Sequence, residues 1–210
     1  MLSAVGTPVR AGFLMRKLII PAQLQEEFAT VETLWHSTGK TRRVDALMLS
    51  WVKYEKQLRR LFCFFVFQHP KIAGNQIDAV IMVLAENRNL YPETFIAGIE
   101  ALGVTSVPDL LGPSHAELWR HINRIKKYRN KLMHGQITGQ NIKSPQLERD
   151  VLWIVEWVGC LASAAENTFG YDGLKRNTYS VARAASKIAV GQYPFTTPAE
   201  LKTWLSGLAR

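Results

Sequence analysis

The segment Tyr128–Gly135, which reads YRNKLMHG, closes the most clearly delimited helix that the sequence predicts. Ser114, followed three residues later by Glu117, has the pattern of a capping box, so the helix is expected to begin there. Gly135 suits the left-handed position that ends a helix. Between these two ends, apolar residues recur every three, four or seven positions and predict one buried face, formed by Leu118, Ile122, Ile125 and Leu132.

Arg129 falls on this buried face, seven residues after Ile122 and three before Leu132. A guanidinium that is always charged needs an acidic partner or an anionic ligand in such a position. Glu55 lies on the apolar stripe of an earlier long helix. We therefore expect Glu55 to hold the Arg129 side chain, although the pattern fits equally well a glutamate at the edge of its stripe with a solvated carboxylate.

Helical periodicity continues through most of the chain, and no segment alternates for long enough to build a sheet. The two helices that flank residues 136–143 should pack antiparallel because a loop of about ten residues joins them. The sequence thus predicts an all-α fold, an antiparallel helical bundle with additional C-terminal helices. The expected helices span residues 22–36, 43–68, 74–88, 92–102, 114–134, 144–169 and 178–189, with a last one signalled by residues 197–200.

A chain of 210 residues is expected to form one domain. Residues 1–20 are interpreted as an N-terminal arm, residues 21–170 as the helical domain, and residues 171–210 as a helical extension that packs on the same domain. No apolar run reaches the roughly 18 residues that a membrane span needs. The N-terminus also offers a poor signal-peptide pattern. These features favour a cytoplasmic protein without a membrane partner.

The formal net charge of +9 favours a polyanionic partner. Four basic residues follow one another at helical spacing on the face opposite the apolar one: Arg120, Arg124, Lys127 and Lys131. One interpretation is a track for the phosphate backbone of RNA, with binding that weakens steeply as salt rises. The other is an ordinary solvated helix face.

Arg129, four intervening residues and His134, with the polar Asn130 directly after the arginine, resemble the signature of the HEPN superfamily (higher eukaryotes and prokaryotes nucleotide-binding). The resemblance covers about residues 41–170, and only the segment from Arg129 to His134 is specific. It implies that Arg129 and His134 are catalytic and that Asn130 supports them. It also implies a homodimer, because nucleases of this family form their active cleft between two subunits.

These residue types suit metal-independent cleavage of RNA. Histidine exchanges protons near neutral pH. The C-terminal end of a helix favours the charged imidazolium of His134, which argues for a role as an acid or in charge stabilisation rather than as a base. The guanidinium of Arg129 matches the geometry of phosphate oxygens. No metal or cofactor site is expected, because the five histidines show no ligand spacing with cysteines or acids.

The predicted function is therefore that of a metal-independent endoribonuclease, a toxin or defence-system RNase that an antitoxin or another regulatory protein restrains. A non-catalytic HEPN-like module that binds nucleic acid or protein is an alternative. Gln136 leaves room for it, since several HEPN toxins carry tyrosine at that place. A third interpretation is a structural helical module, in which Arg129 forms a buried ion pair and His134 caps the helix.

Overall fold

A computed structural model of the chain describes residues 18–86, 90–103, 105–133, 142–176, 178–185 and 190–208. Within these ranges the chain forms nine α-helices and three short 3₁₀ turns, and no strand. The predicted all-α class is therefore confirmed. In chain order the helices are α1 (Gln25–His36), α2 (Arg42–Phe67), α3 (Ile77–Glu86), α4 (Pro92–Ala101), α5 (Val107–Leu111), α6 (His115–Met133), α7 (Ser144–Phe169), α8 (Tyr179–Ala184) and α9 (Pro198–Leu208).

The two longest helices, α2 and α7, pack against each other and run in the same direction. Near their starts, Arg43 Nη2 lies 3.0 Å from Glu148 Oε1. Near their ends, the rings of Phe65 and Phe169 meet edge to face with centroids 5.0 Å apart. Both helices bury an apolar stripe, and this pair forms the centre of the core.

Helix α6 packs on α7 in the opposite direction, as the short connection between them predicts. The His121 ring stacks on Trp153 with centroids 3.8 Å apart, and Arg124, one turn further along α6, pairs with Asp150, which lies earlier on α7. The end of α6 and the start of α7 are therefore neighbours. The segment that resembles the HEPN signature begins at this end of the bundle.

The C-terminal helices lie against the same body, since α8 contacts α2 and α9 contacts α3 and α4. At the other end of the chain, two residues of the expected N-terminal arm pack against the helices. Leu18 and Ile20 are only 2% and 8% exposed and belong to the core. None of the helices in the described ranges is long and apolar enough to cross a membrane.

Helix boundaries agree best where the apolar periodicity is long. The predicted helices 43–68, 92–102 and 144–169 match α2, α4 and α7 to within one residue at each end. Gly170 follows α7 with φ +76°, a left-handed conformation that glycine adopts without a steric penalty. The helix expected at 178–189 ends earlier, at Ala184, because Ala185 takes an extended conformation.

The capping box predicted at Ser114 is wrong. Ser114 ends a 3₁₀ turn, Gly112–Ser114, that continues directly into α6, whereas an N-cap residue requires non-helical dihedral angles. The carboxylate of Glu117 lies 3.5 Å from Arg120 Nη2 instead. A capping box does occur at Ser106 and Asp109, where it starts α5, a short helix that the sequence pattern did not predict.

Gly98 in α4 allows that helix to approach α2 closely. A Cβ at this position would lie 2.6 Å from Cε2 of the buried Phe62 ring, so Gly98→Ala forces either the ring or α4 to move. We expect this substitution to lower the free energy of unfolding by roughly 1–3 kcal/mol, measured by urea unfolding. Gly207→Ala is the matched control, because it also lies in a helix but would meet nothing within 4 Å. The control should gain roughly 0.5–1 kcal/mol, and equal behaviour of the two variants would contradict the packing of α4 on α2.

Candidate functional site

Glu55 and Arg129 form the ion pair that their positions on two apolar stripes predicted. Arg129 Nη2 donates a hydrogen bond to Glu55 Oε1 at 2.9 Å. The Arg129 side chain is 18% exposed and that of Glu55 31%, so the pair lies between α6 and α2 at the edge of the protein interior. The guanidinium is thereby held to α2 while part of it still reaches solvent.

Trp51 fixes both members of this pair, a role that sequence analysis did not identify. Its indole Nε1 donates a hydrogen bond to the same Glu55 oxygen at 2.7 Å. The Arg129 guanidinium carbon also lies 5.2 Å from the centroid of the Trp51 ring, within cation–π distance. Trp51 and Glu55 are four residues apart on one helix, and this spacing is the sequence signal for their contact.

Asn130 contacts the guanidinium from the other side, since Arg129 Nη1 donates a hydrogen bond to Asn130 Oδ1 at 2.7 Å. A guanidinium carries five N–H groups, and the two hydrogen bonds described here use one on each terminal nitrogen. Among the described residues, one N–H on each terminal nitrogen therefore has no acceptor in these two contacts and could bind an anion. The arrangement suits a phosphate oxygen that approaches the outer side of Arg129.

His134, predicted as the partner of Arg129 in catalysis, lies outside the described residues, as do Gly135 and Gln136. The last described residue of α6 is Met133, which is exposed. Of the predicted catalytic set, the structure therefore brings together Arg129, Asn130 and the supporting Glu55.

The four residues of the predicted basic stripe do not share one environment. Arg120, Lys127 and Lys131 are exposed to solvent. Arg124 differs, because its guanidinium pairs with the carboxylate of Asp150 on α7, although its side chain is still 41% exposed. Residues 115–149 contain eight Lys or Arg residues and two acids. Three of the eight cations pair with acids of other segments: Arg124 with Asp150, Lys126 with Glu93 and Arg129 with Glu55.

Asp150 is the centre of a polar cluster that sequence analysis missed. Its carboxylate is fully buried and accepts hydrogen bonds from Arg124, from the Tyr128 hydroxyl and from Gln146 Nε2. Burial, together with the hydrogen bond to Asp150, raises the pKa of Tyr128 well above its usual range, so the phenol stays protonated. Asp150 interrupts the apolar stripe of α7, and this was the available sequence signal.

No group of three or more histidine, cysteine or acidic side chains is arranged to hold a metal ion in the part of the chain that the structure describes. Comparison of the chain with protein-family models, with curated proteins and with solved structures gives no match. The site is therefore interpreted from its own residues: an arginine fixed by a glutamate and a tryptophan at the end of a basic helix.

Proposed function

We propose that this chain is a metal-independent endoribonuclease of the HEPN type, which acts as a homodimer in a toxin or defence system. The observation that carries the proposal is the fixed guanidinium of Arg129, held 2.9 Å from Glu55 Oε1 and 5.2 Å from the Trp51 ring centroid. A cation oriented before the substrate binds needs no reorganisation when negative charge develops on the reacting phosphate. Such preorganised charge commonly contributes most to catalysis.

The charge distribution around α6 supports RNA as the substrate. Arg120, Lys127 and Lys131 are exposed on the same helix as Arg129, and only two acids occur among residues 115–149. A polyanion that lies along this surface displaces bound cations from its phosphates, so its binding is expected to weaken with salt.

In the proposed reaction, the 2′-oxygen of a ribose attacks the adjacent phosphorus, and the bond from phosphorus to the 5′-oxygen breaks. A base accepts the proton of the 2′-hydroxyl, and an acid protonates the departing 5′-oxygen. Arg129 balances the negative charge on the phosphorane oxygens. We assign the acid to His134, because histidine titrates near neutral pH. One chain supplies one such histidine, so a second copy of the chain is assigned the base.

RNA binding without cleavage is the second candidate function, and the contacts of Arg129 favour it. Both terminal nitrogens of the guanidinium already donate to acceptors within the chain, Glu55 and Asn130. An arginine whose charge is balanced by a glutamate in this way is stable without a substrate. In this case, the basic surface of α6 would hold RNA and no bond would break.

Incubation of the purified protein with single-stranded RNA in EDTA tests the proposal. We expect fragments that end in a 2′,3′-cyclic phosphate, and we expect His134→Ala to lose this activity while its circular dichroism spectrum stays helical. His36→Ala is the matched control, because His36 is an exposed histidine in the last turn of α1, and it should cut as the wild type does. If RNA binds but stays intact, the second candidate function is supported. If His134→Ala cleaves RNA as fast as the wild type, the proposed mechanism is rejected.

A further inference from the structure

A cleft of about 350 Å³ opens between the end of α6 and the start of α7. Its volume lies at the lower end of the range for small-molecule sites. Arg129 and Glu55 do not line it. The residues that do include Arg124, Tyr128, Lys143, Pro145, Gln146 and Arg149.

Three of the lining residues are cations, and two of them have no carboxylate partner among the residues that the structure describes. Arg124 pairs with Asp150, which also accepts a hydrogen bond from the Tyr128 hydroxyl. Within the described ranges, Lys143 contacts no acid, and the hydrogen bond found for Arg149 goes to the neutral Gln146 side chain at 3.0 Å. Residues 134–141, which precede Ile142, include no acid either. The cleft therefore has a surplus of positive charge that nothing in the described part of the chain balances.

The N-terminus of α7 adds to this surplus. The helix is 26 residues long, its first turn contains no acid, and the side chain of its N-cap residue, Lys143, makes no capping hydrogen bond. Aligned peptide dipoles give the start of such a helix a partial positive charge that attracts anions. Lys143, Pro145 and Gln146 line the cleft, so the cleft lies directly at this helix end.

We propose that this cleft binds a phosphate group, carried either by a free mononucleotide or by the end of an RNA strand. Lys143 and Arg149 supply positive charge that attracts the phosphate. Arg124 is held in position by its ion pair with the buried Asp150. Ile142 and Pro145 provide an apolar wall against which a ribose or base can pack. The inference rests on residues of α6 and α7 other than Arg129, and it does not depend on RNA cleavage.

Calorimetric titration with inorganic phosphate and with AMP at low salt tests the inference. We expect both to bind the wild type, with AMP the tighter ligand. Lys143→Ala/Arg149→Ala should weaken AMP binding by at least about 10-fold, because the phosphate loses two charged hydrogen-bond donors. Lys40→Ala/Lys202→Ala is the matched control, since it also removes two exposed cations. Absence of AMP binding to the wild type, or equal weakening in both double variants, overturns the proposal.

Two RNA oligonucleotides that differ only in a 5′-phosphate distinguish the sources of the phosphate. Tighter binding of the phosphorylated oligonucleotide, lost in Lys143→Ala/Arg149→Ala, identifies an RNA end as the ligand. If AMP binds but the two oligonucleotides bind with equal affinity, and bind the variant as they bind the wild type, the ligand is a free nucleotide. Either result supports the phosphate site. AMP binding is measured without RNA cleavage, so failure of the nuclease proposal and failure of this one are distinguishable.

Discussion

Replacing Arg129 by alanine is expected to slow RNA cleavage in EDTA by about 100- to 1000-fold, the loss that follows removal of a single preorganised charge-stabilising donor. The remaining basic residues of α6 are expected to bind RNA in this variant too, so the loss should appear in the rate at saturating RNA. Arg129→Lys keeps the charge and loses the planar fork that matches phosphate oxygens, and its rate should fall between those of wild type and Arg129→Ala. Single-turnover cleavage measures all three rates.

The Arg129→Ala protein is expected to stay folded, which separates this effect from loss of structure. Glu55 is 31% exposed, so water can solvate its carboxylate once the guanidinium is gone. Partly exposed ion pairs contribute about 0–1 kcal/mol to stability. Arg176→Ala, at an exposed position outside the helices, is the control and should cleave RNA normally. Unchanged cleavage by Arg129→Ala contradicts a catalytic arginine, and a loss that merely follows unfolding assigns the residue a structural role.

Asp150→Ala is expected to cause the largest loss of stability, about 3 kcal/mol. The substitution removes a fully buried carboxylate that accepts hydrogen bonds from α6 as well as from its own helix. The Tyr128 hydroxyl then stays buried without its acceptor, whereas Arg124, 41% exposed, can turn towards water. Urea unfolding measures the difference in the free energy of unfolding.

Two further variants make this test specific to the buried cluster. Asp150→Asn retains an acceptor oxygen and should lose less than the alanine variant. Glu156→Ala is the control, because Glu156 is an exposed acid on the same helix, and it should change stability by no more than about 0.5 kcal/mol. An Asp150→Ala protein as stable as this control would show that the cluster does not hold α6 against α7.

The helices could be predicted because long apolar stripes determine them. In α2, α6 and α7 the stripe repeats over several turns, and burial of these residues accounts for the packing of the three helices. The short helix α5 was not predicted, because five residues are too few to show a helical period of apolar residues. Serine is a common N-cap residue, but Ser114 belongs to a 3₁₀ turn that precedes α6. A pattern of residue types does not predict that conformation.

The pairing of Glu55 with Arg129 could be predicted because each is a charged residue on an apolar stripe. Two opposite charges on the buried faces of two helices have few other ways to be neutralised. Asp150 met the same criterion, but its partner Arg124 was assigned to the exposed face of α6. That position is 41% exposed, and a long arginine side chain reaches from the solvent face to a buried acid. Periodicity alone does not show that a long side chain on the exposed face contacts a buried acid.

In the proposed mechanism, Glu55 affects the rate of RNA cleavage only by orienting Arg129. A double-mutant cycle on this pair tests that relation most directly. The measurement is the rate of RNA cleavage in EDTA for wild type, Glu55→Gln, Arg129→Ala and the double variant. Glu55→Gln should cleave about 10- to 100-fold more slowly, and the double variant should be no slower than Arg129→Ala alone, because the two residues act as one unit. Wild-type activity in Glu55→Gln, or losses that multiply in the double variant, would contradict the account.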